Sequence, residues 1–347
     1  MRAALIAFFL FSMAAAARLA WLPEHSSDSN RAALRKMLES NPRATGTRIT
    51  LALLEEQAGD PPAAERDLLT AAGYDHQYLP AWTLANFYFR RDLPAPFWTW
   101  ARRAAALNPD EPDPLLILCD RMSPGQALEN LPENPRLDRA YLDLLTRGRR
   151  WTAARRVALR MIDRRDPEDL RRVTGFLTRL IEADQIPAAA QLWHRIAPHT
   201  SLPVDGDFHS APSGQGFDWR LSSLPGVDPQ WSPDQLAFRL SGREPESFPL
   251  LEQPIPDPGY YTLTFEYQCD FPGLRWTLGA RESPELQPSA GWTRGDRTLP
   301  GSATASWLRL IYRRDPGNPR AEGQLHLRAI HLTHELTPEL THESTRE

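Results

Sequence analysis

At 347 residues the chain is long enough for two domains of ordinary size, and its 33 prolines and 19 glycines stay below the share that marks wholesale disorder. A formal charge of −4 and the lack of any long basic run speak against a nucleic-acid partner. Arginine carries nearly all the positive charge, with Lys36 the only lysine. The densest cluster, Arg147 to Arg150 with Arg155 and Arg156, has helical spacing and reads as a solvated face.

Met1 to Ala20 has the build of an export signal. Arg2 supplies the positive end, an uncharged run from Ala3 to Ala17 follows, and small residues stand at Ala15, Ala17 and Ala20. The run is shorter than the ~20 residues of a spanning helix, but Leu19 to Leu22 extend it. A cleaved signal and a short membrane anchor are both open. Either places the protein outside the cytoplasm, in the periplasm or on the cell envelope, with contact to a membrane only through this segment. Cleavage near Ala17 or Ala20 would start the mature chain close to Arg18 to Trp21.

From residue 30 to 197 the apolar spacing is helical. Ser29-Asn30 reads as the cap of a first helix, Arg31 to Ser40. The stretch from Arg48 to His76 follows, turned at Gly59-Asp60, with Leu51, Ala52, Ala64, Leu68 and Ala71 inside. The clearest hairpin is Tyr78 to Pro109. Ala81, Leu84, Ala85 and Tyr88 recur at i, i+3, i+4 and i+7, and Asp92-Leu93-Pro94 breaks the run because proline has no amide donor. Phe97, Ala101, Ala104 and Ala105 then repeat the pattern up to Asn108-Pro109. Glu111 to Met122 with Pro124 to Asn130 forms a degenerate unit. Leu137 to Arg147 with Thr152 to Arg164 forms a fourth hairpin, and Asp169 to Glu182 with Pro187 to Ile196 a fifth. Hairpins of this kind bury their faces only by stacking on neighbours.

The hairpins resemble the tetratricopeptide repeat. Leu84, Ala85, Tyr88, Ala104 and Pro109 match its pattern, and the units recur at 33 to 34 residues. Trp82 lies one place off the expected aromatic, Ala101 stands for Phe, and Phe97 for Ala. The resemblance implies an α-helical solenoid whose first helices line a protein-binding surface. In the best unit Leu79, Trp82, Asn86, Phe89 and Arg90 lie off the packing face and are the candidate protein-binding residues. Asn86 falls where peptide-binding members place an Asn. Trp82 stands where they use a Lys, which argues against capture of a terminal carboxylate.

Residues 198 to 203 read as a linker, and from 204 to 334 the texture is that of short alternating strands. These are Leu236 to Leu240, Tyr260 to Tyr267, Arg275 to Ala280, Ser306 to Tyr312 and Gln324 to Thr333, with the turn Pro256-Asp257-Pro258-Gly259. Antiparallel strands so punctuated predict an all-β sandwich that folds by itself. Residues 335 to 347 read as a disordered tail. Gly206-Asp207-Phe208, Phe217-Asp218-Trp219-Arg220, Pro258-Gly259-Tyr260-Tyr261-Thr262-Leu263 and the closing strand Leu325 to Leu332 resemble the galactose-binding-like modules of carbohydrate-binding proteins. Arg328 and Ala329 replace the paired carboxylates common on that closing strand, and Asp205 replaces the opening Asn. The resemblance therefore implies a jelly-roll fold over about residues 204 to 334 and lends no support to a metal site.

No phosphate loop, zinc-protease helix or nucleophile elbow is present. His326, His331 and His334 cluster, but His331 and His334 fall on opposite faces of a strand unless a bulge intervenes. Cys119 and Cys269 fall in different predicted domains and read as buried free thiols, a disulfide being open only if those domains dock. Of the sandwich tryptophans, Trp219 and Trp307 alternate like core residues. Trp231 and Trp292 lie in loop-like contexts and are the candidate carbohydrate-binding residues. The sequence thus points to an exported, non-enzymatic scaffold without a cofactor, joining a protein partner to a possible polysaccharide. A polysaccharide-active hydrolase and a purely structural cap are the alternatives.

Overall fold

The computed structural model describes residues 24–107, 110–198, 201–257, 259–302 and 306–335. The export segment at 1–20, the terminator Asn108-Pro109, His199 and Thr200 of the linker, Pro258 and the tail from 336 lie outside them. Among the described residues no helix is long and apolar enough to cross a membrane. Ten α-helices among the described residues precede two antiparallel sheets, and the chain divides into two compact units, Met1–Leu144 and Leu145–Glu347.

The first unit holds α1 (Glu24–Ser40), α2 (Thr45–Gln57), α3 (Pro61–Tyr74), α4 (Tyr78–Arg90), α5 (Pro94–Ala106), α6 (Asp113–Met122) and most of α7 (Pro135–Arg147). α1 begins ahead of the expected cap and carries Ser29 and Asn30 inside it, since nothing between Glu24 and Ser40 breaks a helix. Equivalent elements of the α2–α3 and α4–α5 hairpins start 33 residues apart, at Thr45 and Tyr78, and at Pro61 and Pro94. Each second helix opens on a proline, whose fixed φ suits the first helical position and whose missing donor costs nothing there. Each turn bends through one left-handed residue, Gly59 (φ 82°) or Asp92 (φ 52°). Asp60 then caps α3 by accepting from the Ala63 amide at 3.1 Å. Ala81, Leu84, Ala85, Phe97, Ala101, Ala104 and Ala105 are buried, so small side chains let α4 and α5 close on each other. Tyr88 reaches back to α3, donating its hydroxyl to Glu65 Oε1 at 2.6 Å. The degenerate unit keeps α6, but its second helix shrinks to a single 3₁₀ turn at Ala127–Glu129 among prolines.

The second unit holds α8 (Trp151–Arg164), α9 (Pro167–Glu182), α10 (Ile186–Ile196) and the sandwich. One sheet has the order β1-β4-β9-β6-β7, from Arg220–Leu221, Ser247–Ile255, Ser306–Arg313, Leu274–Leu278 and Arg281–Glu282. The other has the order β2-β3-β10-β5-β8, from Val227–Ser232, Gln235–Ser241, Glu322–Glu335, Gly259–Cys269 and Ser289–Ser302. Alternation places Phe238, Leu263, Phe265, Trp276, Leu310 and Leu327 between the sheets, where all are buried.

Five strands depart from the sequence reading. β2 runs through the loop-like context of Trp231. β1 and β7 are two residues long. β4 was hidden by Pro249 and Pro254, which the ladder accommodates beside a register shift between Pro249 and Leu251. β8, rich in Gly and charge, is an edge strand of fourteen residues. The last helical hairpin packs on the sandwich within this unit. The Gly216 amide donates to Thr178 Oγ1 at 2.8 Å, Trp193 lies 5.5 Å from the buried ring of Phe217, and His194 Nε2 is 2.9 Å from Asp257.

Both cysteines are free and buried, and burial pushes each thiol up to about 12. The thiolate is the reactive species. Native protein at neutral pH is therefore expected to leave Cys119 and Cys269 unmodified by an aromatic disulfide reagent. Both should titrate only after unfolding, and modification of either in the native state would contradict their burial.

Candidate binding surfaces

On the first unit the candidate residues share one side of α4. Tyr78, Trp82 and Asn86 follow at steps of four. The rings of Tyr78 and Trp82 stack with centroids 6.0 Å apart and planes 11° from parallel. Leu79 is 54% exposed beside them, and Trp82 is half-buried. Burial pushes the Tyr78 phenol up to about 12, with Cys119 adding to the shift, so the ring is neutral at any ordinary pH. The Asn86 side-chain amide donates to the Trp82 carbonyl at 2.9 Å, within its own helix. Phe89 is half-buried, 6.1 Å from Phe97. Arg90 is not free: its Nε and Nη2 bind Glu56 at 3.1 and 2.5 Å, and Arg91 binds the same carboxylate at 3.1 Å. The apolar part of the surface is thus the exposed Leu79 with the half-buried rings of Tyr78 and Trp82 beside it. Tyr78 escaped the sequence reading, although its place four residues before Trp82 was the signal.

On the sandwich, neither Trp231 nor Trp292 lies in a loop. Trp231 sits on β2, an edge strand that tolerates Pro229, opposite Leu236 on the core-facing side. Its indole N–H donates to the Phe208 carbonyl at 2.9 Å, and the side chain is 39% exposed at the rim. Trp292 sits on β8, the opposite edge of the same sheet, and faces outward. The two therefore occupy opposite edges and opposite faces, and form no common platform.

Trp292 lies over its neighbours across the strands. The Arg328 guanidinium is 4.0 Å from the centre of its ring, and His326 meets it edge-on at 6.4 Å. Arg328 Nε donates to Glu266 Oε2 at 2.7 Å, and Glu266 faces Arg294 across the β5–β8 ladder. Gln268, on the same face, donates to the Ala290 carbonyl at 2.9 Å. An aromatic ring, a guanidinium seated over it and a row of polar groups can offer both ring contact and hydrogen bonds to a ligand.

The other tryptophans divide similarly. Trp219 and Trp276 are buried, as the alternation of Trp219 suggested. Trp307 is not core. It lies half-buried on the outer face of the first sheet, with Arg220 at 5.0 Å and Arg309 at 5.2 Å from its ring centre. Burial lowers the pKa of Arg220, whose donors bind the carbonyls of Asp218 and Gly216. An open cleft of about 350 Å³ beside it is lined by Arg220, Ser222, Leu224, Pro249 and Glu252. A second cleft, of about 370 Å³, has a mixed lining that includes Asp270, Glu285, Arg313, Asp315 and Arg320.

The histidines do meet a bulge. β10 slips register between Arg328 and His331, with Ala329 in the left-handed region (φ 51°). Even so, among the described residues no three His, Cys, Asp or Glu side chains could hold a metal ion. His331 lies 3.6 Å from Asp207, and His334 stands edge-on to Tyr261. Glu252 and Glu266, on opposite sheets, are each bound to an arginine, at 2.9 Å from Arg309 and 2.7 Å from Arg328. In the helical unit the buried Glu55 is raised by desolvation and bonded to Arg35 at 2.9 Å, a structural pairing between α1 and α2.

No protein-family model matches the sequence, and no curated protein matches it. Among solved structures the chain is similar to PilF of Pseudomonas aeruginosa, at 17% identity and a TM-score of 0.28, over 52% of this chain and 89% of that one. It is similar to MamA at 16% and 0.27, over 50% and 89%. It is also similar to the second N-terminal cellulose-binding domain of Cellulomonas fimi β-1,4-glucanase C, at 16% and 0.26, over 40% and 94%. Nothing about this chain's activity follows from likenesses at that level.

Proposed function

We propose that this chain is an exported, non-enzymatic scaffold of the cell envelope. Its repeat hairpins, similar to tetratricopeptide repeats, meet a protein partner, and its galactose-binding-like sandwich holds a polysaccharide. Envelope or exopolysaccharide assembly is the setting such a pair of surfaces suits. The observation that carries the reading is the presence of two separate surfaces with aromatic rings, one on each compact unit: exposed Leu79 beside the half-buried Tyr78 and Trp82 on α4, and exposed Trp292 over Arg328 and Glu266 on the second sheet. Aromatic and arginine anchors among polar neighbours are the usual make-up of recognition surfaces.

The test is binding of the full chain to envelope polysaccharide. Truncating an aromatic anchor costs on the order of 2 kcal/mol, roughly thirtyfold in affinity. Trp292→Ala is expected to lose that much with an unchanged unfolding temperature. Trp231→Ala is expected to lower the unfolding temperature instead, because its indole holds the Phe208 carbonyl. A wild type that binds no glycan would end the polysaccharide reading. A second reading, the sandwich as a cap on the last hairpin, is favoured by the seating of Phe217 against Trp193 and of Gly216 on Thr178. It predicts the same stability results and no glycan binding.

A further inference from the structure

The charge of the chain is unevenly laid out. Residues 145–198, which span the end of α7 and all of α8, α9 and α10, contain twelve arginines and six carboxylates. They carry a formal +6 in a chain whose total is −4. The sandwich residues 201–335 contain seventeen carboxylates against twelve arginines, and residues 1–144 eighteen against fifteen basic residues, so the positive excess is confined to residues 145–198.

Several of the six carboxylates are turned inward or engaged. Asp169 is fully buried and bound by Arg164 Nε and Nη2, each at 2.8 Å. Asp166 caps α9 by accepting the amides of Glu168 and Asp169 at 2.9 and 3.0 Å. Glu182 and Asp163 lie 2.8 and 3.5 Å from Arg179 and Arg195. Arginine still outnumbers the acids at the surface: Arg149 in the turn before α8, Arg156 on α8, Arg165 in the turn after it, and Arg171 and Arg172 on α9 are exposed, Arg172 at 4.0 Å from Glu168, against the exposed Asp163, Glu182 and Asp184. The fourteen residues of α8 separate Arg149 from Arg165 by roughly 20 Å.

Among the described residues the large apolar side chains that are exposed lie before residue 108 or after residue 223, none of them within residues 145–198. Trp151 and Trp193 are half-buried, against Phe176 and Phe217. A membrane-binding helix needs an apolar face, a single nucleic-acid strand needs stacking platforms, and a protein interface needs apolar anchors. This surface offers charge alone, in guanidinium forks that match carboxylate and sulfate geometry.

We propose that the arginine-rich surface of residues 145–198 binds an acidic polysaccharide, a flexible carboxylate- or sulfate-bearing chain laid along α8 and α9. The site is separate from the Trp292 face and does not rest on it. The test is affinity electrophoresis of the full chain through gels holding polygalacturonate or neutral dextran, with duplex DNA as competitor. Polygalacturonate is expected to retard the wild type at low salt and to release it at high salt, while dextran does neither. Arg149→Gln, Arg165→Gln and Arg171→Gln together should weaken binding roughly tenfold at an unchanged unfolding temperature, from about half a kcal/mol per exposed charge. Trp292→Ala should leave this binding intact. No retardation at low salt, equal retardation by dextran, an affinity insensitive to salt, or tighter binding of DNA would each overturn the proposal. The salt response of the wild type decides the matter even if the triple variant is unstable.

Discussion

Replacing Gly206 by alanine is expected to cost on the order of 3 kcal/mol, at or above the upper end of ordinary overpacking. In a unit of this size that lowers the unfolding temperature by about 10 °C. The reason is backbone rather than side chain. A Cβ on Gly206 would stand 1.8 Å from the Ile330 carbonyl oxygen and 3.0 Å from its carbon. The Gly206 carbonyl in turn accepts from the Ile330 amide at 3.0 Å, so the opening segment lies directly on the bulge of β10. Relief requires moving either the bulge or the loop, and Phe208, fully buried two residues on, holds the loop. Gly175→Ala is the contrast. It stands within α9 with nothing within 4 Å of the new methyl, so alanine should stabilise by about 0.5–1 kcal/mol. Calorimetry of both variants decides. An unchanged midpoint for Gly206→Ala would mean that the opening segment is not seated on β10.

That glycine also shows which features a single sequence can display. Gly206-Asp207-Phe208 was visible as a motif, but the carbonyl that makes glycine necessary lies more than a hundred residues further along the chain. The hairpins were legible because their causes are local: small residues at i, i+3 and i+4, a left-handed Gly59 or Asp92, and a proline opening each second helix. β3, β5, β6, β9 and β10 were legible for the same reason, since alternation against one core is written in each strand alone. β4 and β8 were not. Pro249 and Pro254 argue against a strand unless the bulge is known, and the glycines and charges of β8 look like a loop unless its edge position is known. The surfaces follow the same division. Trp82 and Leu79 could be placed by helical spacing. Arg328 over Trp292 could not, because the two meet from different strands whose register only the folded sheet sets. Trp307 misled for a related reason: alternation gave its face relative to Leu308, but not which of the two faces was inside.

Removing the helices from the second unit is expected to weaken the sandwich, although the change of texture at residues 198 to 203 suggested an independent fold. Residues 145–335 and 201–335 are the fragments to compare, because a cut at 204 would also delete Leu202, whose carbonyl accepts from the Leu332 amide at 2.8 Å. In the longer fragment Phe217 is wholly buried with Trp193 at 5.5 Å, and Gly216 donates to Thr178. Exposing a buried Phe side chain costs about 1.5–3 kcal/mol, and losing one hydrogen bond about 1 kcal/mol. The shorter fragment should therefore unfold roughly 10 °C lower. Its core remains closed, since Phe238, Phe265, Trp276 and Leu310 pack sheet against sheet with no helical contribution. It should still give a dispersed amide spectrum, with the largest changes at residues 213–219 and 256–257. Phe217→Ala in the longer fragment should reproduce most of the loss, and Trp193→Ala should add little to it if the two rings act as one contact. Equal midpoints for the two fragments would show that the last hairpin only rests against the sandwich. In that case the cap reading fails, and residues 201–335 stand as a domain of their own.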